Sequence, residues 1–113
     1  MDPTELSLNE YQLAARTTAI YPDDMDVLYP LIELQGELGE VADKIKKVYR
    51  DNDGNFPATT REELKKELGD VCWPLAMLCS DLELSLEEVA KTNLDKLFSR
   101  QDRGTIQGSG DNR

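Results

Sequence analysis

The sequence predicts an all-α chain, one four-helix bundle-like domain of 113 residues. Two heptad seams and three helix-start signals carry that prediction. Leu31, Leu34, Leu38, Val41, Ile45 and Val48 step by 3, 4, 3, 4 and 3, a continuous apolar stripe on a helix and a spacing that fits no strand. Leu64, Leu68, Val71, Leu75, Leu78 and Leu82 repeat it. At Ser7–Glu10, Thr60–Glu63 and Ser85–Glu88 a hydroxyl residue is followed three positions later by a glutamate, the capping box that opens a helix.

Taken in order, residues 1–6 are expected to fray, and a first helix to run over about 8–20 with Leu8, Tyr11, Ala15 and Ala19 inward. Gln12, Arg16 and Thr17 read as ordinary surface residues of that helix. Residues 21–29 hold Pro22 and three aspartates and read as a loop. Pro30 fits the first turn of a second helix, about 30–49, where its missing N–H is not needed. Gly36 and Gly39 within it each cost about 1 kcal/mol relative to Ala, so close helix packing or room for a ligand must account for them.

Residues 51–59, DNDGNFPAT, read as a solvated connector. As a calcium loop, Asp51, Asp53, Asn55 and Glu62 would fill positions 1, 3, 5 and 12, but position 6, where the sharp turn needs glycine, is Phe56. The third helix is expected over about 61–81. Pro74 inside it removes one hydrogen bond and crowds the carbonyl of Asp70, so the backbone there is expected to kink or open. Trp73 reads either as a core anchor or as a surface for base stacking. Cys72 and Cys79 lie about 10 Å apart along this helix at about 1.5 Å per residue, beyond the roughly 7 Å that a disulfide spans. They read as free thiols of a reducing compartment. The fourth helix, about 86–103, has a seam of Leu86, Ala90 and Leu97 that Asn93 interrupts, to fix register or to reach a polar ligand. The last stretch, 104–113, is glycine-rich and is expected to be a flexible tail.

Thirteen basic against 23 acidic side chains leave a net charge of −10, which argues against binding a nucleic-acid duplex or an anionic membrane surface. No apolar run approaches membrane-spanning length and no basic leader precedes one, so a cytoplasmic protein is expected, in the host cytoplasm if the chain is viral. There is no histidine, which removes Cys-His and Ser-His-Asp catalysis and histidine-rich metal sites. A chain of this size buries only about two-thirds of its unfolded surface. Its helices offer more apolar surface than a lone bundle needs, and a homodimer or homotetramer is expected.

Acidic residues point to chemistry. Glu37 and Glu40 lie three apart on the second helix, and Glu67 and Asp70 three apart on the third, so each pair projects together with Cβ atoms roughly 5–6 Å apart. If the two helices pack antiparallel along their leucine seams, all four carboxylates can meet at one edge. A cation or solvent must then offset their repulsion. Lys44 and Lys47 continue the same stripe.

The acidic pairs, Glu37-Leu-Gly-Glu40 and Glu67-Leu-Gly-Asp70, resemble the E-x-x-E and E-x-x-D motifs of the MazG-like nucleoside triphosphate pyrophosphohydrolases, which are all-α enzymes. The similarity extends to Tyr11-Gln12, the stretch from Lys46-Lys47 to Arg50-Asp51, the run Asn93-Leu-Asp-Lys96-Leu97, and the closing Gly108-Ser-Gly-Asp-Asn-Arg113. The resemblance implies hydrolysis of a nucleoside triphosphate to the monophosphate and pyrophosphate with Mg²⁺, or Mn²⁺. By matching position it implies Glu37, Glu40, Glu67 and Asp70 as metal ligands and catalytic residues. It implies Asn93 and Lys96 near the nucleotide and a tail that closes over the site. Lys44 and Lys47 are candidates for the phosphates and Trp73 for the base. Four carboxylates and a triphosphate each carry about −4, so two or three divalent ions are expected between them. Pro74 departs from the aromatic residue that relatives often carry there, which leaves the base preference open. The alternatives are an inactive nucleotide- or metal-binding regulatory module and a structural acidic helical bundle.

Overall fold

The computed structural model describes residues 5–113; the fraying expected of the first four residues lies outside them. Its helices are α1 (Leu8–Arg16), α2 (Leu28–Asn52), α3 (Ala58–Asp81) and α4 (Leu86–Asp102), with a 3-10 turn at Asp23–Met25 and no strand among the described residues.

Local chemistry sets each boundary. The capping box at Ser7 forms in full: its hydroxyl accepts from the Glu10 N–H and the Glu10 carboxylate accepts from the Ser7 N–H, both at 3.1 Å. α1 stops at Arg16, four residues before the expected end, because the Thr17 and Thr18 hydroxyls donate to the Ala14 and Ala15 carbonyls at 2.7 Å and take over last-turn acceptors. α2 starts two residues early, after a γ-turn in which the Asp26 carbonyl accepts the Leu28 N–H at 2.7 Å. Val27 at its centre has φ 68° and ψ −51°, a strained conformation for a β-branched residue. α2 ends past the expected residue 49, at a left-handed Asp53 and at Gly54 (φ 76°), where a Cβ would lie 2.9 Å from the Tyr49 ring.

The signal at Thr60–Glu63 does not open α3. Pro57, with φ −68° and ψ 165°, ends the extended connector, and the helix begins at Ala58. It then runs unbroken across Pro74, which is buried, so the expected opening at Asp70 does not interrupt it. At α4 the Ser85 hydroxyl accepts the Glu88 N–H at 3.2 Å and donates to Asn9 Oδ1 at 2.8 Å, tying this helix start to α1. Residues 104–113, expected as a flexible tail, fold back as a loop. Arg113 donates to the Thr105, Ile106 and Gly110 carbonyls, Arg100 to those of Gly110 and Asp111, and Lys96 to the Asp111 carboxylate.

α2 and α3 run antiparallel through the short connector and form the main helix pair. Their leucine seams do not bury each other whole, as expected from the heptads. Each seam splits. Leu34, Val41, Val48 and Leu64, Val71, Leu78 are covered or half-covered, whereas Leu31, Leu38 and Leu68, Leu75, Leu82 remain exposed. The core lies at the far end, where Ala15 of α1, Ala76, Met77 and Cys79 of α3 and Leu86 of α4 cluster beside Tyr11, Tyr21 and Trp73. Gln12 and Arg16 belong to this end, not to the solvated face assigned from sequence. The Gln12 amide donates to Ser80 Oγ and the Leu84 carbonyl and accepts the Leu86 N–H. Arg16 pairs at 3.0 Å with Asp81, whose side chain is fully buried. Both cysteines are free; Cys72 is exposed and Cys79 buried.

Beyond residue 90, α4 leaves this core. Leu94, Phe98 and Ile106 are about half exposed, and only Lys96 and Arg100 are covered to any extent, by the folded-back tail. The radius of gyration is 17.0 Å, against about 13 Å for a compact domain of this length. No helix among the described residues is long and apolar enough to cross a membrane.

Candidate metal centre

The antiparallel pairing brings the two acidic motifs together. Glu37 of α2 and Glu67 and Asp70 of α3 each offer a carboxylate oxygen, and these oxygens lie within 4.8 Å of one another. Oε2 of Glu37 and Oε2 of Glu67 are buried and have no hydrogen-bond partner. A buried carboxylate oxygen without a donor is costly, and it is the feature that a cation would satisfy. The strain shows in the acid–base balance. Burial, then the charges of Glu40, Asp70, Glu67 and Glu33, push the Glu37 carboxyl up. Burial, then Glu40, push Glu67 up, with Lys44 opposing.

Glu40 stands just outside the tight triad, close enough for its charge to push the Glu67 carboxyl up. Two further carboxylates were not among the expected site residues. Glu33 lies one turn before Glu37 and is pushed up by burial and by the charge of Asp70. Glu63 lies one turn before Glu67 and faces Lys44 at 3.7 Å. The sequence carries a signal for both: Glu33, Glu37, Glu40 and Glu63, Glu67, Asp70 each step by 4 and 3 along one helix face.

Beside the triad a groove of about 840 Å³ follows the α2–α3 seam toward the connector, within the range of small-molecule sites. Glu40, Asp43, Lys44, Lys47, Glu63 and Glu67 are among its walls. Gly36 and Gly39 also line it, and a Cβ at either would meet nothing within 4 Å. Close packing inside this chain is therefore not what those glycines serve. Lys46 and Lys47 hold Asp43 at 2.9 and 2.7 Å, and their hydrogen bonds pull its carboxyl down to about 2.

Other expected site residues are not gathered here. Trp73 lies one turn beyond Asp70, but its indole N–H donates to Thr18 Oγ1 at 2.8 Å and its ring packs edge-on to Tyr21, with centroids 6.4 Å apart. Packing is the role on view for it. Asn93 is exposed on α4, and Lys96 pairs with Asp111 of the tail at 2.9 Å; neither lines the groove.

The sequence matches the family model for the MazG nucleotide pyrophosphohydrolase domain over residues 29–105. The chain belongs to the MazG family. The matched span of this MazG chain takes in both acidic pairs and all of α3 and α4. Gene 37 protein of Mycobacterium phage L5 is similar, 50% identical over 109 residues that cover 91% of this chain and 96% of that protein. No solved structure matches.

Proposed function

We propose that this MazG chain is a divalent-metal-dependent nucleoside triphosphate pyrophosphohydrolase, releasing a nucleoside monophosphate and pyrophosphate. The observation that carries the proposal is the convergence of Glu37, Glu67 and Asp70 with two buried, unpartnered carboxylate oxygens. An all-oxygen donor set fits hard cations, Mg²⁺ first and Mn²⁺ second, and the charge of a triphosphate calls for two or three of them. Bound divalent ions would supply a water activated near neutral pH and would offset the charge of the phosphates.

Glu37, Glu67 and Asp70, with Glu40 beside them, are assigned as ligands and catalytic residues. Glu40, whose charge bears on Glu67, is assigned to take the proton of the attacking water. Lys44 and Lys47 on the groove wall are assigned to the β- and γ-phosphates. Trp73, whose indole N–H and ring are taken up by Thr18 and Tyr21, is not assigned to the base.

The assembly is proposed to be a homodimer or homotetramer. The open half-seams of α2 and α3 and the projecting α4 are apolar faces that a second copy would cover. Asn93 and Lys96 are assigned to the nucleotide through that second copy, because neither lines the groove of its own chain.

Glu37→Gln and Asp70→Asn test the assignment. Each should cut Mg²⁺-dependent turnover by more than about 100-fold, the loss that even outer-shell changes reach at metal sites, while circular dichroism shows unchanged helix content. Retained turnover in both would refute it.

A further inference from the structure

Among the described residues one cation alone pairs with the carboxylate triad. Lys44 Nζ lies 4.0 Å from Glu67 Oε1, the carboxylate oxygen other than the unpartnered Oε2, and 3.7 Å from Glu63 Oε2. The lysine thus stands between an acid of the triad and one outside it. Their surroundings differ: the Glu67 side chain is 18% exposed and that of Glu63 is 62% exposed. Lys47, on the same groove wall, is bound to Asp43 at 2.7 Å instead.

An ammonium beside Glu67 and a divalent ion on Glu67 repel each other and draw on the same carboxylate charge. Glu63 offers the ammonium a second, better hydrated partner, to which it can withdraw and remain ion-paired. We propose that Lys44 and Glu63 together set the metal affinity of the site, Lys44 as a built-in competitor at Glu67 and Glu63 as the acceptor that draws it away. Both are positioning residues in this role, which rests on the reading of Glu67 as a metal ligand.

Titration of the full chain with Mn²⁺, without nucleotide, tests the inference by calorimetry. Lys44→Met should bind Mn²⁺ about 2- to 5-fold more tightly, the scale of one partly exposed ion pair. Glu63→Gln should bind about 2- to 3-fold more weakly on the same scale. In the Lys44→Met background, Glu63→Gln should change nothing further, because Glu63 acts through the lysine. Lys47→Met should tighten binding less than Lys44→Met does. Unchanged or weaker binding by Lys44→Met would overturn the proposal, as would equal tightening by Lys47→Met or equal weakening by Glu63→Gln in both backgrounds. No Mn²⁺ binding by the wild-type chain would overturn it together with the metal reading of the site, whereas normal wild-type binding with a silent Lys44→Met removes this inference alone.

Discussion

Glu40 and Glu67 face each other across the α2–α3 seam, and after burial the charge of Glu40 is the largest influence that pushes the Glu67 carboxyl up. Glu37 and Glu67 are both pushed up, chiefly by burial and then by neighbouring carboxylates. A carboxyl that holds its proton more tightly folded than unfolded adds stability at low pH and loses it as pH rises through the folded value. With divalent ions chelated, the melting temperature should therefore fall as pH rises from about 5 to about 8. Mn²⁺ should flatten that slope by binding the ionised carboxylates of the folded chain. Below about pH 4 the trend should reverse, because Asp43, Asp51 and Asp111 are pulled down by lysine and arginine partners and their support is lost on protonation. Thermal melts across pH with and without Mn²⁺ read all three regimes.

Asp81 should be the costliest acid to remove outside the site. Its fully buried carboxylate accepts from Arg16 at 3.0 Å, from the Tyr21 hydroxyl at 2.8 Å and from the Val27 N–H at 3.0 Å. The last bond holds the γ-turn that starts α2. Asp81→Ala should destabilise the chain by about 2–3 kcal/mol, since charged hydrogen bonds are lost and a strained turn loses its acceptor. Urea denaturation should show a lower midpoint with an unchanged slope.

The exposed half-seams should be contact surfaces. Leu68→Glu on α3 and Phe98→Glu on α4 replace side chains that are 51% and 56% exposed in the single chain, so neither disturbs its core. Sedimentation velocity should show a smaller assembly for each variant than for the wild type. A wild-type chain that sediments as a monomer would contradict the proposed assembly.

Much of this arrangement was legible in the sequence because it depends on local spacing. Heptad steps identified α2 and α3, Ser7 and Ser85 marked two helix starts, and the two acidic pairs lay where an antiparallel hairpin brings them together. What was missed depends on contacts distant in sequence or on competing local signals. Gln12 looked like a surface residue until Ser80, Leu84 and Leu86 closed around its amide. Thr60 carried a start signal, but Pro57 three residues earlier prevailed. Heptad spacing defines an apolar stripe without naming what covers it, so the division of each seam into a covered and an open half could not be read. The same limit applies to Asn93 and Lys96, which matched a family run while the fold of the single chain leaves them away from the groove.

Product analysis with Mg²⁺ over a panel of ribo- and deoxynucleoside triphosphates decides whether the chain cleaves at the α-phosphoryl, by separating monophosphate plus pyrophosphate from diphosphate plus phosphate. Monophosphate and pyrophosphate are expected from at least one nucleotide, with none formed by Glu67→Gln. Diphosphate and phosphate, or no product from any nucleotide by a folded, Mn²⁺-binding chain, would contradict it.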